Sequence, residues 1–233
     1  MPPKELTQSL LDITEEAKDT LAGILLRNCS IQNATIRADL PQLKNFVAIS
    51  SPIDTLDLSM QNWTRLFSIE VEGIFDKVPE SFKLAPPNLE RILIHKSSID
   101  EIPSWTKDHW QNVHMIRIDS SELQYCPHEL LELSSLIKLQ LRRNHIHTLE
   151  DAPKTEVIMV ELAHNNITSI PQGYKDIQWL DIGHNNIDET AVPWTVPELI
   201  ENNGRIVLVG NPICENVPEL NTTDICKGFV FPK

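Results

Sequence analysis

Three stretches of this chain repeat one pattern: LIKLQLRRNHI at residues 136–146, VIMVELAHNNI at 157–167 and IQWLDIGHNNI at 177–187. Each has aliphatic residues at its first, fourth, sixth and eleventh positions and an asparagine at its ninth. The aliphatic residues in the middle alternate with a free position, which is typical of a strand with one buried face. A recurrence of about 20 residues indicates stacked supersecondary units, and such stacks more often form binding surfaces than active sites.

The pattern extends in both directions and gives nine copies within residues 21–213. The first eight begin at Leu21, Leu43, Leu66, Leu89, Val113, Leu136, Val157 and Ile177, and the ninth is the partial copy Ile206-Leu208-Asn211-Ile213. We interpret the second copy as Leu43-Val47-Ile49 followed by Ile53, and the third as Leu66-Ile69-Val71 followed by Phe75. Both are predicted to be one residue short in the turn.

Nine such copies in series resemble the leucine-rich-repeat proteins over nearly all of residues 21–213. The resemblance implies an α/β fold, a right-handed solenoid or horseshoe with about nine short parallel strands on its concave face. Loops, short helices or 3-10 turns would then lie on the convex face. We expect residues 1–20 to be an N-terminal cap or a remnant repeat, residues 21–213 the solenoid, and residues 214–233 a C-terminal cap.

The polar residue that ends each strand is predicted to form a ladder along the solenoid. Its side chain can bond backbone groups of the turn that no strand pairing satisfies. Asparagine holds this position at Asn144, Asn165, Asn185 and Asn211, whereas Cys29, Ser97 and Ser121 replace it in earlier copies. The ladder should therefore be less regular before residue 130. We also expect Trp63, Trp110 and Trp194 to pack between the outer arcs.

The four cysteines divide into two kinds. Cys29 and Cys126 occupy repeat positions and are interpreted as buried free thiols. Cys214 follows Asn211-Pro212-Ile213, which resembles the start of the cysteine-containing flank that closes many extracellular leucine-rich-repeat proteins. Only two cysteines of the four in the fuller version of that flank are present here. The resemblance implies a disulfide between Cys214 and Cys226, provided that the compartment is oxidising.

Sequons also favour an extracellular setting. Asn33, Asn62, Asn166 and Asn221 are predicted glycosylation sites, and Asn28 is the least suitable acceptor because it adjoins the first strand. The opening residues nevertheless do not resemble a secretory signal, since no apolar core follows Met1. Two interpretations remain open. The chain is part of a longer ectodomain, or it belongs to a cytosolic protein in which these sequons and cysteines have little meaning.

Composition narrows the classes of partner. The formal net charge of −13 argues against general nucleic-acid binding, which needs a basic surface. No apolar run is long enough to cross a membrane. We therefore expect a protein or peptide ligand and neither a nucleic acid nor a membrane-spanning segment.

The free positions of the predicted strands form the candidate binding surface on the concave face. Basic residues concentrate on the fourth to sixth copies, and acidic, aromatic and sulfur-containing residues follow them. The predicted partner-binding residues are Arg91, His95, Lys96, Arg117, Lys138, Arg142, Arg143, Met159, Glu161, Trp179 and Asp181. This patch predicts a partner of acidic or mixed charge. The alternative is a solvated face with incidental charges.

The sequence contains no grouped glycines that could hold phosphates, no nucleophile elbow and no HExxH motif. We therefore predict no catalytic residue, no metal ligand and no cofactor. His164 and His184 hold equivalent positions in consecutive HNNI turns, so they should stack about one strand spacing apart, and repetition of the turn explains them better than a metal site does. The favoured function is non-enzymatic protein or peptide recognition by an extracellular or cell-surface, receptor-like or secreted protein. The alternatives are a cytosolic adaptor or regulatory subunit, and a sensor region detached from a kinase.

Overall fold

The computed structural model describes residues 15–29, 31–151, 157–201 and 205–228. Within these residues, nine parallel strands form one sheet, and each strand pairs with the strand of the next copy. In sheet order they are β1 (Gly23–Arg27), β3 (Asn45–Ile53), β5 (Ser68–Gly73), β6 (Arg91–His95), β7 (Met115–Asp119), β8 (Lys138–Gln140), β9 (Met159–Glu161), β10 (Trp179–Asp181) and β11 (Ile206–Val207). The predicted parallel solenoid sheet is confirmed.

The return segments are short and irregular. Near the N-terminal end, β2 (Asn33–Ile36) and β4 (Thr55–Leu58) form a separate two-stranded parallel sheet. The helices are α1 (Glu15–Lys18), α2 (Thr106–His109), α3 (His128–Leu131), α4 (Val196–Glu201), α5 (Pro212–Asn216), α6 (Pro218–Asn221) and α7 (Asp224–Lys227). Single 3-10 segments span Met60–Asn62, Glu80–Leu84 and Gln172–Asp176.

One apolar core runs the length of the solenoid and contains the aliphatic residues of every copy. The three predicted tryptophans belong to it, with Trp63 and Trp110 essentially inaccessible and Trp194 buried. Each of the first two satisfies its indole N–H on the preceding arc: Trp63 donates to the Ala38 carbonyl at 2.9 Å, and Trp110 to the Phe82 carbonyl at 3.2 Å. Their predicted packing between outer arcs is confirmed.

The register predicted for the second copy is wrong by one residue. Phe46 and Ala48 point into the core and are fully buried, while Val47 and Ile49 are only half-buried. A shift of one residue moves every side chain of a strand to the opposite face. The copy is therefore Leu43-Phe46-Ala48-Ser51-Ile53, which has the full turn length rather than one residue fewer. The prediction placed Val47 and Ile49 inward because valine and isoleucine are more typical of a buried strand face than Ala48.

The third copy does have the shortened turn. A Cβ atom on Gly73 would lie 2.6 Å from the Phe75 ring and 2.6 Å from the Ile53 carbonyl oxygen, so only glycine fits there. At the equivalent position of the other eight copies the backbone has a positive φ, and seven of those eight residues are not glycine. They are Asn28, Ser50, Lys96, Ser120, Arg143, His164 and His184, followed by Gly210. The left-handed residue is thus a feature of the repeat and directs these side chains along one edge of the sheet.

The polar ladder bonds each copy to its predecessor. Asn165 donates from Nδ2 to the carbonyls of Leu162 at 2.8 Å and Leu141 at 2.9 Å, and its Oδ1 accepts the Ile146 N–H at 3.1 Å. Asn144, Asn185 and Asn211 make equivalent bonds. In earlier copies hydroxyls take this position. Ser51 accepts the Cys29 N–H at 2.9 Å, and Ser97 and Ser121 bond each other at 2.6 Å.

The last three helices pack against the end of the sheet. Ile213, Leu220 and Ile225 are buried, and the Ile225 carbonyl accepts the Leu208 N–H at 2.7 Å. A disulfide joins Cys214 and Cys226, whose Cα atoms are 5.5 Å apart. We propose that this segment is the C-terminal cap; its residues 229–233, and residues 1–14 of the proposed N-terminal cap, lie outside the described part of the chain.

The two other cysteines are unpaired. Cys126 is buried as predicted, and burial raises the pKa of its thiol to about 12. The burial predicted for Cys29 is wrong, because Cys29 is half-exposed at the first copy, the end of the sheet.

Candidate ligand-binding groove

A groove of about 670 Å³ crosses the strands of the concave face. Its lining extends from Ser50 in the second copy to Val209 in the ninth. Eight of the predicted partner-binding residues line it: His95, Lys96, Arg117, Arg142, Arg143, Glu161, Trp179 and Asp181. The other three, Arg91, Lys138 and Met159, belong to the strands but not to the groove lining.

The basic residues of the groove are largely neutralised by carboxylates on their own or neighbouring strands. Lys96 pairs with Glu72 at 3.0 Å, and Arg117 pairs with Asp119 at 2.5 Å. His95 lies 3.2 Å from Glu70. The basic patch of the fourth to sixth copies therefore contains its own counter-ions.

Arg142 and Glu161 form the centre of this ion-pair network. The Arg142 guanidinium contacts Glu161 at 2.7 Å and Asp181 at 3.0 Å. Glu161 is 4% exposed and also accepts bonds from Lys138 at 2.8 Å and Gln140 at 2.6 Å. A buried carboxylate with this many donors is held in place. The network therefore gives the groove a rigid, polar floor.

Sequence reasoning did not assign Glu70, Glu72, Asp119 or Gln140 to the site. Asp119 and Gln140 lie on β7 and β8 with predicted residues, whereas Glu70 and Glu72 lie on β5, which pairs with β6 and carries none of them. Adjacent strands are about 4.8 Å apart, so opposite charges at aligned positions come within ion-pair distance. These four residues could have been found by comparing the charges at aligned positions of neighbouring copies, rather than the charges along each copy.

One edge of the groove carries a second group, which we name the cationic ridge: Arg143, His164 and His184. They occupy the left-handed position of three consecutive copies, with φ values of 55°, 59° and 55°. The imidazoles of His164 and His184 are stacked, with centroids 4.3 Å apart and planes 4° from parallel. The predicted stacking is confirmed. Burial lowers the pKa of His164, and the neighbouring His184 and Arg143 lower that pKa further.

Apolar groups occupy the C-terminal end of the groove. Ala163, Trp179, Val207 and Val209 line it beside the acidic Asp181. Outside the groove, the exposed side chains of Ile137 and Ile158 lie just before strands β8 and β9. The surface available to a ligand therefore combines paired charges with an aromatic and aliphatic end.

The predicted glycosylation residues lie away from this groove. Asn33, Asn62, Asn166 and Asn221 are all exposed, and none of them lines it. The Asn62 amide donates to Asp39 at 2.7 Å, and the Asn33 amide oxygen accepts a bond from Thr55.

Metal ligands and membrane-spanning helices are both absent from the part of the chain that the structure describes. Its residues contain no group of three or more histidine, cysteine or acidic side chains arranged to hold a metal ion. None of the helices in that part has the length and hydropathy to cross a membrane.

The chain is similar in sequence to parts of two kinds of curated protein. It is 25% identical over 141 residues to the volume-regulated anion channel subunit LRRC8D of Rattus norvegicus, a match that covers 58% of this chain and 16% of the subunit. It is 24% identical over 111 residues to fibromodulin of Sus scrofa, covering 46% of this chain and 76% of fibromodulin. No family model matches the chain.

Solved structures share the fold. An internalin (inlF) of Listeria monocytogenes superimposes with a TM-score of 0.63 and 15% identity, over 88% of this chain and 62% of that one. The plant peptide hormone receptor RGFR1, solved in complex with RGF2, gives a TM-score of 0.54 and 18% identity, over 74% of this chain and 29% of the receptor. The repeat register, the polar ladder and these similarities identify the chain as a leucine-rich-repeat protein of the α/β solenoid type.

Proposed function

We propose that this chain is a non-enzymatic recognition module that binds a polypeptide segment of mixed charge along its concave groove. The observation that carries the proposal is the groove lining itself, which places four basic residues and five carboxylates around an open volume of about 670 Å³. The plant receptor that shares the fold was solved in complex with RGF2, which supports the assignment of ligand binding to such a solenoid.

The ion-pair network favours a ligand with charges of both signs. A purely acidic ligand would have to compete with Glu161 and Asp181 for Arg142. A purely basic ligand would have to compete with Arg142 for the same two carboxylates. A segment with alternating charges can instead add to existing pairs without leaving any charge unpaired. Trp179 and the valines beside it offer an apolar contact at one end, and aromatic residues are enriched at recognition surfaces.

Selection of peptides tests the groove without the natural partner. A displayed library of random peptides is selected on the full chain and then tested against two variants. Val209→Arg places a long charged side chain in the groove, and Ser104→Arg places the same side chain on an exposed return segment. Selected peptides should lose binding to Val209→Arg and keep binding to Ser104→Arg. Peptides that bind both variants equally well would refute the groove as the site.

We also propose an extracellular or cell-surface setting. The disulfide between Cys214 and Cys226, four exposed sequon asparagines and the similarity to fibromodulin support it. In protein isolated from its natural source, non-reducing alkylation followed by mass spectrometry should find both cysteines unlabelled, and glycosidase treatment should increase gel mobility. Labelled cysteines together with unchanged mobility would favour the cytosolic adaptor instead.

A further inference from the structure

The cationic ridge differs from the rest of the groove in its charge pairing. Of the four basic residues that line the groove, Lys96, Arg117 and Arg142 are held in ion pairs at 2.5 to 3.0 Å. Arg143 is exposed and makes no ion pair with any residue that the structure describes. An external anion at Arg143 can therefore form an ion pair without displacing a carboxylate of the protein.

The two imidazoles beside Arg143 are arranged to serve the same anion. Parallel rings 4.3 Å apart lie side by side, and one ring N–H from each would suit neighbouring oxygens of one group. Gly210 follows them at the next left-handed position, and a Cβ atom there would lie 2.5 Å from Nδ1 of His184. The glycine therefore gives the His184 ring the space it occupies in the stack.

We propose that Arg143, His164 and His184 form a binding site for an oxyanion, a carboxylate, phosphate or sulfate group, carried by the partner. The inference rests on the proposed function, which places the ligand on the concave face. It adds that the ligand presents an anionic group there. A guanidinium and imidazole N–H groups can all donate to the oxygens of one planar or tetrahedral oxyanion, and hydrogen bonds to ionised groups are stronger than neutral ones.

Protonation of the ridge is coupled to anion binding. The charged groups that act on His164 are His184, Arg143 and Arg142, which oppose its protonation, and Asp181, which favours it. Positive charge on His184 and Arg143 opposes protonation of His164, so unliganded His164 resists taking up a proton. An oxyanion in contact with the ridge offsets this repulsion. Binding of an anion whose own charge is constant, such as sulfate, should therefore strengthen as the pH falls through the ordinary imidazole range near about 6.5.

Inorganic phosphate is the first probe. It is titrated into the full chain at about pH 6 while proton–carbon NMR follows the Cε1–H signals of His164 and His184. We expect both signals to move saturably with a dissociation constant of about 1 mM or lower, and the pKa of His164 to rise in the presence of phosphate. Sulfate and acetate titrations follow, and the tightest of the three identifies the class of anionic group.

Variants at the same backbone position supply the controls. Asparagine adopts a positive φ more readily than most residues, so it changes the side chain with little backbone cost. Arg143→Asn and His184→Asn should each weaken phosphate binding about tenfold or more. As the control elsewhere on the chain, Lys107→Asn removes an exposed positive charge from α2, outside the groove lining, and should leave the affinity unchanged.

Each result bears on one of the two proposals. Signals that do not saturate, or equal weakening by Arg143→Asn and Lys107→Asn, would overturn the oxyanion site, because general charge attraction then accounts for the shifts. If peptide selection fails while phosphate binds saturably at the ridge, the oxyanion site stands and the peptide groove does not. If selected peptides occupy the groove without competing with phosphate, the peptide groove stands and the oxyanion inference is wrong.

Discussion

Replacement of Asn165 by alanine should destabilise the protein by about 3 kcal/mol. Asn165 is 7% exposed and makes three side-chain hydrogen bonds, at 2.8, 2.9 and 3.1 Å. Each such bond contributes about 1 kcal/mol net, and a donor left without a partner in the interior adds about 1–3 kcal/mol.

The magnitude depends on which backbone groups lose their only ladder bond. The Leu141 carbonyl keeps the Asn144 amide at 3.1 Å, and the Leu162 carbonyl keeps the Asn185 amide at 3.1 Å. The Ile146 N–H loses its Asn165 acceptor. The loss therefore amounts to three bonds and one unsatisfied donor, partly relieved by the remaining bonds to the two carbonyls.

Urea unfolding followed by circular dichroism measures the effect. With a denaturant slope of about 3 kcal/mol per molar, the midpoint should fall by about 1 M. Asn186→Ala is the matched control, because Asn186 is exposed at the residue after the ladder position and its change should remain within about 0.5 kcal/mol. A difference below about 1 kcal/mol between the two variants would refute the view that the ladder couples the copies energetically.

Three further predictions concern the C-terminal cap, the ridge and the thiols. Reduction of the disulfide between Cys214 and Cys226, which are 12 residues apart, should destabilise the protein by about 3 kcal/mol in the same urea assay. Gly210→Ala should cost about 1–3 kcal/mol, because φ is +72° and the new methyl group would meet an imidazole ring, and it should shift that ring's NMR signals. Iodoacetamide should label the half-exposed Cys29 in the folded protein far faster than Cys126, whose thiol pKa is raised to about 12.

Each of these has an internal control. Gly23→Ala is the comparison for Gly210→Ala, because the nearest atom to its new methyl group would be 3.9 Å away and φ is not positive there. Equal losses from the two alanine variants would contradict the steric account. Equal labelling of Cys29 and Cys126 would show that the interior opens on the timescale of alkylation. An unchanged urea midpoint after reduction would show that the cap is held by its apolar contacts alone.

The sequence predicted the strands well wherever the aliphatic residues were unambiguous, as in the copies that begin at Leu136, Val157 and Ile177. It failed at Phe46 and Ala48, because periodicity alone cannot choose between two overlapping alternations when the inward residue is as small as alanine. The pairing partner β5 decided the register there. Burial of Trp63 and Trp110 followed from their places in the return segments, whereas their carbonyl partners could be seen only in the folded chain.

The repeat alone was enough to predict the solenoid, its approximate strand positions and the set of side chains on the concave face, since these follow from a pattern along the chain. How those side chains combine depends on the folded chain. Arg142 meets Asp181 across 39 residues of sequence and Glu161 across one strand spacing, so its charge is neutralised rather than free. The stacked His164 and His184 beside Arg143 became a candidate site for the same reason. Charges interact through space, and stacking the copies sets those distances.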